Sequence, residues 1–335
     1  DVDILLANRG EVTRLVNEVW IYWNDNNEYD DWNKSGIVSQ SGIGVRVADL
    51  DKNGYLDIIV SNGAPNAIPE NRPDAAFIYW GSKEGWPVTE RTEIPVSLTR
   101  SCGIADMNNY GHLALVFGNQ AKGQLAAVYY GNSTREFNPS NTWQFPNSEG
   151  TGNPGIADLN NDGLLDMAFA HSKNIKIYYQ IESCKFDGPQ IVDVQAKTMT
   201  VGDVNNDGWL DLVCPYYKGA GRRSWYSTVL LGSSVGFDLS NKLELPTDGG
   251  TGAMVADFNR DDYQDIFFFC HRKDGSFDKT GDFGDHHTNS ILYWGSEDGF
   301  SSEKTDKLPS VGVHYDMGVD VGNISKRKNT YSYSS

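Results

Sequence analysis

Apolar residues along this chain fall into short β-branched and aromatic runs, broken by clusters of Asp, Asn and Gly. No stretch places apolar residues at i, i+3, i+4 and i+7 over about eleven residues, as an amphipathic helix requires. The pattern predicts an all-β chain of short strands. Four kinds of strand recur in fixed order. Val45-Arg46-Val47-Ala48, Gly155-Ile156-Ala157, Thr200-Val201-Gly202 and Met254-Val255-Ala256 are the first kind. Ile58-Ile59-Val60, Met167-Ala168-Phe169, Leu212-Val213 and Ile266-Phe267-Phe268-Phe269 are the second. The third is aromatic: Trp20-Ile21-Tyr22-Trp23, Phe77-Ile78-Tyr79-Trp80, Ala127-Val128-Tyr129-Tyr130, Ile177-Tyr178-Tyr179, Val229-Leu230-Leu231 and Ile291-Leu292-Tyr293-Trp294. Three of these run into similar turns that begin Gly81-Ser82, Gly232-Ser233 and Gly295-Ser296. A weaker fourth strand follows, as in Thr92-Glu93-Ile94-Pro95-Val96 and Lys242-Leu243-Glu244-Leu245. Four antiparallel strands per repeat make one propeller blade.

The polar cluster between the first and second strands is a nine-residue motif. It carries oxygen side chains at positions 1, 3, 5 and 9: Asp49, Asp51, Asn53 and Asp57; Asp158, Asn160, Asp162 and Asp166; Asp203, Asn205, Asp207 and Asp211; Asp257, Asn259, Asp261 and Asp265. Such a set suits a hard cation that takes six to eight oxygens, and position 7 can add its backbone carbonyl. Gly54, Gly163 and Gly208 at position 6 allow the positive φ of a tight wrap; the fourth copy has Asp262 there. A strand follows each loop. That separates it from an EF-hand, where a helix follows and the last ligand is usually a Glu at position 12. Asp/Asn/Gly clusters are also ordinary turn chemistry, but four copies with fixed spacing and fixed flanks argue for ligation. We expect three to four calcium ions.

A fifth copy, residues 106–114, is eroded: Tyr110 and Ala114 replace two ligands, and no calcium is expected there. Half copies stand at the two ends. Asp3-Ile4-Leu5-Leu6-Ala7-Asn8 matches the end of the motif and its following strand, and Gly318-Val319-Asp320-Val321-Gly322-Asn323 matches the preceding strand and the start. The period of roughly 45–63 residues falls in the propeller-blade range. The C-terminal strand 313–320 is expected to pair with residues 2–8 and close the ring, which removes exposed sheet edges. This count gives six blades, near 1–44, 45–101, 102–153, 154–199, 200–251 and 252–312, in a single domain over 1–335. Seven is the count if residues 321–335 begin another partial blade. Gly249-Gly250-Thr251-Gly252 reads as a turn between blades.

The four loops with their apolar flanks, and the Tyr-Trp-Gly strands, resemble the FG-GAP/VCBS repeats of β-propellers, seen also in integrin α-chain heads and some fungal lectins. The resemblance covers nearly the whole chain. It implies a β-propeller with calcium in the four matching loops, including 257–265, where Asp262 replaces the family's Gly. Function is left open, because the fold hosts adhesion proteins, lectins and polysaccharide lyases.

Composition narrows the setting. The net charge is −17, and thirteen Asp lie in the four acidic copies, so cation ligation accounts for much of the acidity. This balance disfavours nucleic acid, which wants a basic face. No apolar run is long enough to span a bilayer, so membrane insertion is not expected. Cys102, Cys184, Cys214 and Cys270 form no CxxC, and core thiols are the default. The chain starts at Asp1 without Met, which reads as a processed or trimmed product. Weak calcium sites fit a secreted or cell-surface setting, and the sequons at Asn33, Asn132 and Asn323 add a little to that.

The family architecture puts the calcium loops on one face and the other loops opposite. Of six His only His112 falls in a calcium-type loop. His171, His271, His286, His287 and His314 fall in opposite-face loops, with Arg222, Arg223, Arg272, Tyr216, Tyr217 and Trp225. Three of these loops, 62–75, 217–225 and 271–289, are long for hairpins, and long loops are often functional. The expected ligand residues are His171, Tyr216, Tyr217, Arg222, His271, Arg272, His286, His287 and His314, on exposed loops where substitution costs little stability. Arg suits carboxylates or sulfates, aromatics suit sugar faces, and His suits proton transfer. The expected role is recognition of a glycan or protein ligand. Its rivals are a polysaccharide lyase acting on a uronate-containing polymer, and a structural or adhesive module of a larger cell-surface protein. The chain has no nucleophile elbow, no HExxH and no phosphate loop, and no catalytic residue can be singled out.

Overall fold

The computed structural model describes residues 3–7, 17–25, 28–40, 42–63, 75–96, 98–219, 222–272 and 287–311. They form two compact units, Asp1–Asn153 and Pro154–Ser335. Each unit holds three antiparallel sheets, with strands in sequence order across every sheet.

In the first unit, β1 (Ile4–Leu6), β2 (Asn17–Tyr22) and β3 (Lys34–Ser39) make a three-stranded sheet. The strands β4 (Gly42–Ala48), β5 (Asp57–Asn62), β6 (Ala76–Tyr79) and β7 (Thr92–Ile94) make the next. They are followed by β8 (Cys102–Ala105), β9 (Ala114–Phe117), β10 (Ala127–Tyr129) and β11 (Thr142–Gln144). The second unit contains β12 (Pro154–Ala157), β13 (Asp166–Ala170), β14 (Ile175–Glu182) and β15 (Lys185–Val192); then β16 (Thr200–Gly202), β17 (Asp211–Cys214), β18 (Ser224–Leu230) and β19 (Lys242–Asp248); then β20 (Gly250–Ala256), β21 (Asp265–Cys270), β22 (His287–Tyr293) and β23 (Thr305–Val311). The single helical element among the described residues is a short 3-10 turn, Val88–Glu90. No helix there is long and apolar enough to cross a membrane. The six sheets match the six repeats. The expected closing strand, 313–320, lies outside the described residues.

Burial explains the sequence pattern. The second strands β5, β9, β13 and β17 are buried at every position. Such strands read as continuous apolar runs rather than alternating ones. The fourth strand β19 alternates instead. The apolar cores form where consecutive sheets face each other. One, with Ile21, Ile58, Val60 and Phe77, lies between the first two sheets. Another, with Val213, Val229, Ile266 and Phe268, lies between the last two.

The recurring tyrosine of the third strand has two jobs. Its ring meets a second-strand phenylalanine edge-on, at 5.9 Å in Phe117–Tyr129, Phe169–Tyr178 and Phe268–Tyr293. Its hydroxyl donates to the backbone of the preceding sheet's last strand, or just beyond it: Tyr79 to Val38 O, Tyr129 to Pro95 O at 3.3 Å and Tyr293 to Pro246 O at 2.6 Å. All four cysteines are free thiols. Burial pushes Cys102, Cys214 and Cys270 well above the usual thiol range, as core residues.

One expected turn is mostly strand. Only Gly249 turns, at φ +62°, while Gly250–Ala256 is β20. Gly250 pairs with Cys270 and Gly252 with Phe269, with a register shift between them. Glycine weakens a strand interior, but here a β-bulge absorbs the two glycines inside the ladder.

Candidate functional site

The four acidic loops share one hydrogen-bond grid. The position-1 carboxylate accepts from the amides of positions 5 and 6: Asp49 from Asn53 and Gly54 at 3.0 and 2.9 Å, Asp158 from Asp162 and Gly163 at 3.0 and 2.8 Å, Asp203 from Asp207 and Gly208 at 3.1 and 2.9 Å, and Asp257 from Asp261 and Asp262 at 3.1 and 3.0 Å. Position 3 also accepts from the position-5 amide, and position 5 from the position-7 amide, as Asn160 and Asp162 do at 3.1 and 2.8 Å. Positions 4 and 6 both take left-handed backbone: Lys52 and Gly54, Asn161 and Gly163, Asn206 and Gly208, Arg260 and Asp262. Asp262 holds φ +71°, a conformation Asp tolerates better than most residues. The fourth loop therefore keeps its shape without the glycine.

Position 9 anchors each loop to the sheet. Asp57, Asp166, Asp211 and Asp265 are fully buried. One oxygen of each accepts the position-2 amide, from Leu50, Leu159, Val204 and Phe258 at 2.8–2.9 Å. The other accepts an amide of the third strand or just past it, from Gly81, Gln180, Gly232 and Gly295 at 2.7–2.9 Å. A Cβ at Gly81, Gly232 or Gly295 would collide with the position-8 carbonyl oxygen, which accounts for glycine after the aromatic strand. Burial raises the carboxyl of Asp57 to about 6, of Asp166 to about 7 and of Asp211 to about 6. The two amide hydrogen bonds partly offset this, and the neighbouring loop carboxylates add to it. A cation among these groups would hold them ionised.

The donor set fits calcium: oxygen only, mostly carboxylate. Asp49, Asp51 and Asp57 bring one oxygen each within 4.8 Å of one another. Asp49, Asp51, Asn53 and Asp57 would hold an ion in the first loop, and the matching residues would do so in the other three. The eroded loop keeps the upper half of the grid, with Asp106 accepting from Tyr110 and Gly111 at 3.2 and 2.6 Å. It lacks the buried anchor, since position 9 is Ala114, and Tyr110 is exposed.

Two features of the loops escaped the sequence reading. Arg135 donates from Nε to Asp51 Oδ2 at 2.5 Å, so one would-be ligand already carries a cation. Asn161 Nδ2 donates to Gly208 O at 3.0 Å and Asn206 Nδ2 to Asp262 O at 2.9 Å, which strings the three loops of the second unit together. The signal for the second feature was in the sequence: Asn at position 4 in two consecutive copies, a residue tolerant of left-handed backbone.

The expected ligand residues divide. Tyr217 stacks on His271 at 5.8 Å, with Lys197 Nζ 3.9 Å and the Arg223 guanidinium 4.7 Å from its ring. Tyr217, His271 and Arg272 are buried. The expectation that Arg272 stands on an exposed loop is therefore corrected: its amide donates to Asp248 O, and the chain packs down beside Gly249. Tyr216 is held by Gly219 O and by Ser227, at 2.9 and 3.0 Å. His171 is half-buried; burial, then Lys176 and Lys173, lower its pKa. His287 opens β22. His286 and His314 lie outside the described residues. Arg222 pairs with Gly219, its amide donating to Gly219 O at 2.8 Å.

Arg222 lines a groove of about 530 Å³ between the outer strands of the last two sheets. Trp225, Tyr226, Asp248, Tyr293 and Lys307 line it too. The volume lies within the range of small-molecule clefts, about 300–1,000 Å³. Trp225 and Tyr226 are each 45% exposed. Trp225 packs edge-on against Tyr226 at 5.7 Å, and the Arg222 guanidinium lies 5.1 Å from the Trp225 ring. Trp225 pairs with Thr247, and the Ser224–Asp248 pair ends the ladder. The far end of β18 leads into Gly232, which touches the acidic loop through Asp211. The groove's aromatic end is thus the end of β18 away from that loop.

The chain belongs to the FG-GAP-like repeat family, whose model matches residues 1–60, 106–169 and 158–214, together half of the chain. The fold is that of an FG-GAP β-propeller. Among solved structures it is similar to a lectin of Agrocybe aegerita described for specific recognition of non-reducing terminal N-acetylglucosamine, with 16% identity, TM-score 0.54, and coverage of 92% of this chain and 76% of the lectin. It is also similar to BBS1N, solved in complex with ARL6DN, at 11% identity and TM-score 0.49, covering 82% and 70% of the two chains. A third is the V. cholerae biofilm matrix protein Bap1, at 13% identity and TM-score 0.44, covering 76% and 37%. No curated protein matches the chain by sequence.

Proposed function

We propose that this chain is an extracellular, calcium-stabilised binding module that takes a saccharide in the groove between β18–β19 and β22–β23. The observation that carries this reading is the exposed Trp225–Tyr226 pair beside a groove of about 530 Å³. Exposed indole is costly in water and offers a flat apolar face with a polar N–H, which suits the C–H face of a sugar ring. Ser224 and Thr305 also line the groove and bring hydroxyls toward it. The likeness to a lectin supports a saccharide as the ligand class. Calcium in the four loops serves stability: each loop ties the first two strands of its sheet together.

The test is titration of the whole chain, in calcium, with a panel of oligosaccharides, read by tryptophan fluorescence. Binding that quenches tryptophan and is lost in Trp225→Ala, with an unchanged melting temperature, is expected. The lyase alternative would appear as new ultraviolet absorbance from an unsaturated product during incubation with a uronate polymer. That result, or saccharide binding unaffected by Trp225→Ala, would overturn the proposal.

A further inference from the structure

We infer that the saccharide bound in this groove is an acidic one, carrying a carboxylate or a sulfate; the inference rests on the groove reading above. The chain as a whole carries a net charge of −17, yet the charged groups that line the groove are Arg222 and Lys307 against the single carboxylate of Asp248. Several other cations are already matched by the protein's own acids. Lys242 meets Glu244 at 2.6 Å, Arg91 meets Glu93 at 2.6 Å and Arg135 meets Asp51 at 2.5 Å. Among the described residues no ion pair involves Arg222 or Lys307. The groove therefore keeps two cations available on a chain of net charge −17.

Their placement suits one ligand. The Arg222 guanidinium lies over the Trp225 ring, 5.1 Å from its centroid. A sugar stacked on Trp225 would present a ring substituent to that guanidinium. A planar fork of N–H donors matches a carboxylate or sulfate in two parallel hydrogen bonds, which a hydroxyl cannot fill. Lys307 stands on β23 opposite Ile291, on the other wall. It adds a point charge able to reach the same acid or that of the next residue in a polymer. Asp248, at the end of β19, can accept from sugar hydroxyls, and its charge opposes an acid placed next to it. The acid is thus directed toward the Arg222 and Lys307 side.

The experiment titrates the calcium-loaded chain with three oligosaccharides of equal length: one of uronic acid, one sulfated and one neutral. It is run at low and at high salt, by calorimetry and tryptophan fluorescence. An acidic oligosaccharide is expected to bind at least about tenfold more tightly than the neutral one, with the gap shrinking as salt screens the groove. Whichever acidic probe binds better identifies carboxylate or sulfate as the source of the charge. Arg222→Ala is expected to weaken the acidic ligand roughly ten- to a hundredfold, the range of one charged hydrogen bond, and to leave a neutral one little changed. Arg222→Lys is expected to recover only part of that loss, and Lys307→Ala to lower the salt dependence. Equal binding of acidic and neutral probes that still needs Trp225 would overturn the acidic assignment and leave the groove standing. Binding of no probe, or binding indifferent to Trp225, would overturn both.

Discussion

Replacing Asp166 by Ala removes the anchor of one acidic loop, and its cost can be worked from two hydrogen bonds. Asp166 is fully buried, and its two oxygens accept from Leu159 N at 2.9 Å and Gln180 N at 2.8 Å. Truncation leaves both amides without that acceptor, and a buried orphaned donor costs about 1–3 kcal/mol. The sum, about 2–6 kcal/mol, applies to the cation-free protein. The lower end is expected near pH 7, because burial raises the Asp166 carboxyl to about 7, and removing it relieves part of the cost of a buried charge. Calcium widens the gap. A ligand present at a hundred times its Kd adds about 2.7 kcal/mol to a protein that binds it, and the variant forfeits one such term. Thermal melts of wild type and Asp166→Ala, in calcium and in chelator, read both parts. At about 2 °C per kcal/mol for a chain of this size, we expect a loss of at least about 4 °C in chelator and a larger one in calcium. Equal melting temperatures in calcium would refute the reasoning for this loop.

The cation-free protein should lose stability as pH rises. Folded Asp57, Asp166 and Asp211 titrate near 6, 7 and 6 against an ordinary 3.8, so the native state holds extra protons between about pH 4 and 7 and gives them up across that window; urea midpoints in chelator at pH 5 and 8 should fall, and calcium should abolish the fall. Arg135→Ala removes a competing cation from Asp51 and should tighten calcium binding at the first loop several-fold, while a weaker titration would contradict a competing role. Asn206→Ala removes the amide bonded to Asp262 O and should cost about 1 kcal/mol of stability by denaturant unfolding, whereas no loss would mean that the bridge contributes nothing. Arg272→Ala, on a buried side chain, should lower the melting temperature, unlike Arg222→Ala at the exposed groove edge.

Much of the fold was legible because it repeats. The four acidic loops, the apolar strands that flank them and the Tyr-Trp-Gly runs each serve one local purpose, and local purposes leave a local pattern. Gly81 stands where a Cβ would strike a carbonyl, and Asp57 where two amides need an acceptor; both are short-range demands that sequence spacing can carry. What could not be read depends on contacts between repeats. Arg135 meets Asp51 across 84 positions, and nothing near either residue announces the other. Tyr217, His271 and Arg272 look like exposed loop residues because they are polar and lie between strands, yet all three are buried, and the Tyr217 ring stacks on His271 with the Arg223 guanidinium beside it. Trp225 was placed on the ligand side, but Tyr226, Asp248 and Lys307 were not. Their role follows from which sheet stands next to β18 and β19, and the alternation of one strand does not contain that. Gly250 and Gly252 looked like a turn because glycine in a strand is rare, and the bulge that admits them shows only in the pairing.

The most direct test of the account is a crystal structure of the chain grown with calcium and an acidic oligosaccharide. The account predicts a sugar ring stacked on Trp225 with its acid toward Arg222 and Lys307, and ions at about 2.3–2.6 Å from the loop carboxylates. A saccharide seated on the Tyr217–His271 cluster or on the acidic loops, with the Trp225 groove empty, would contradict it.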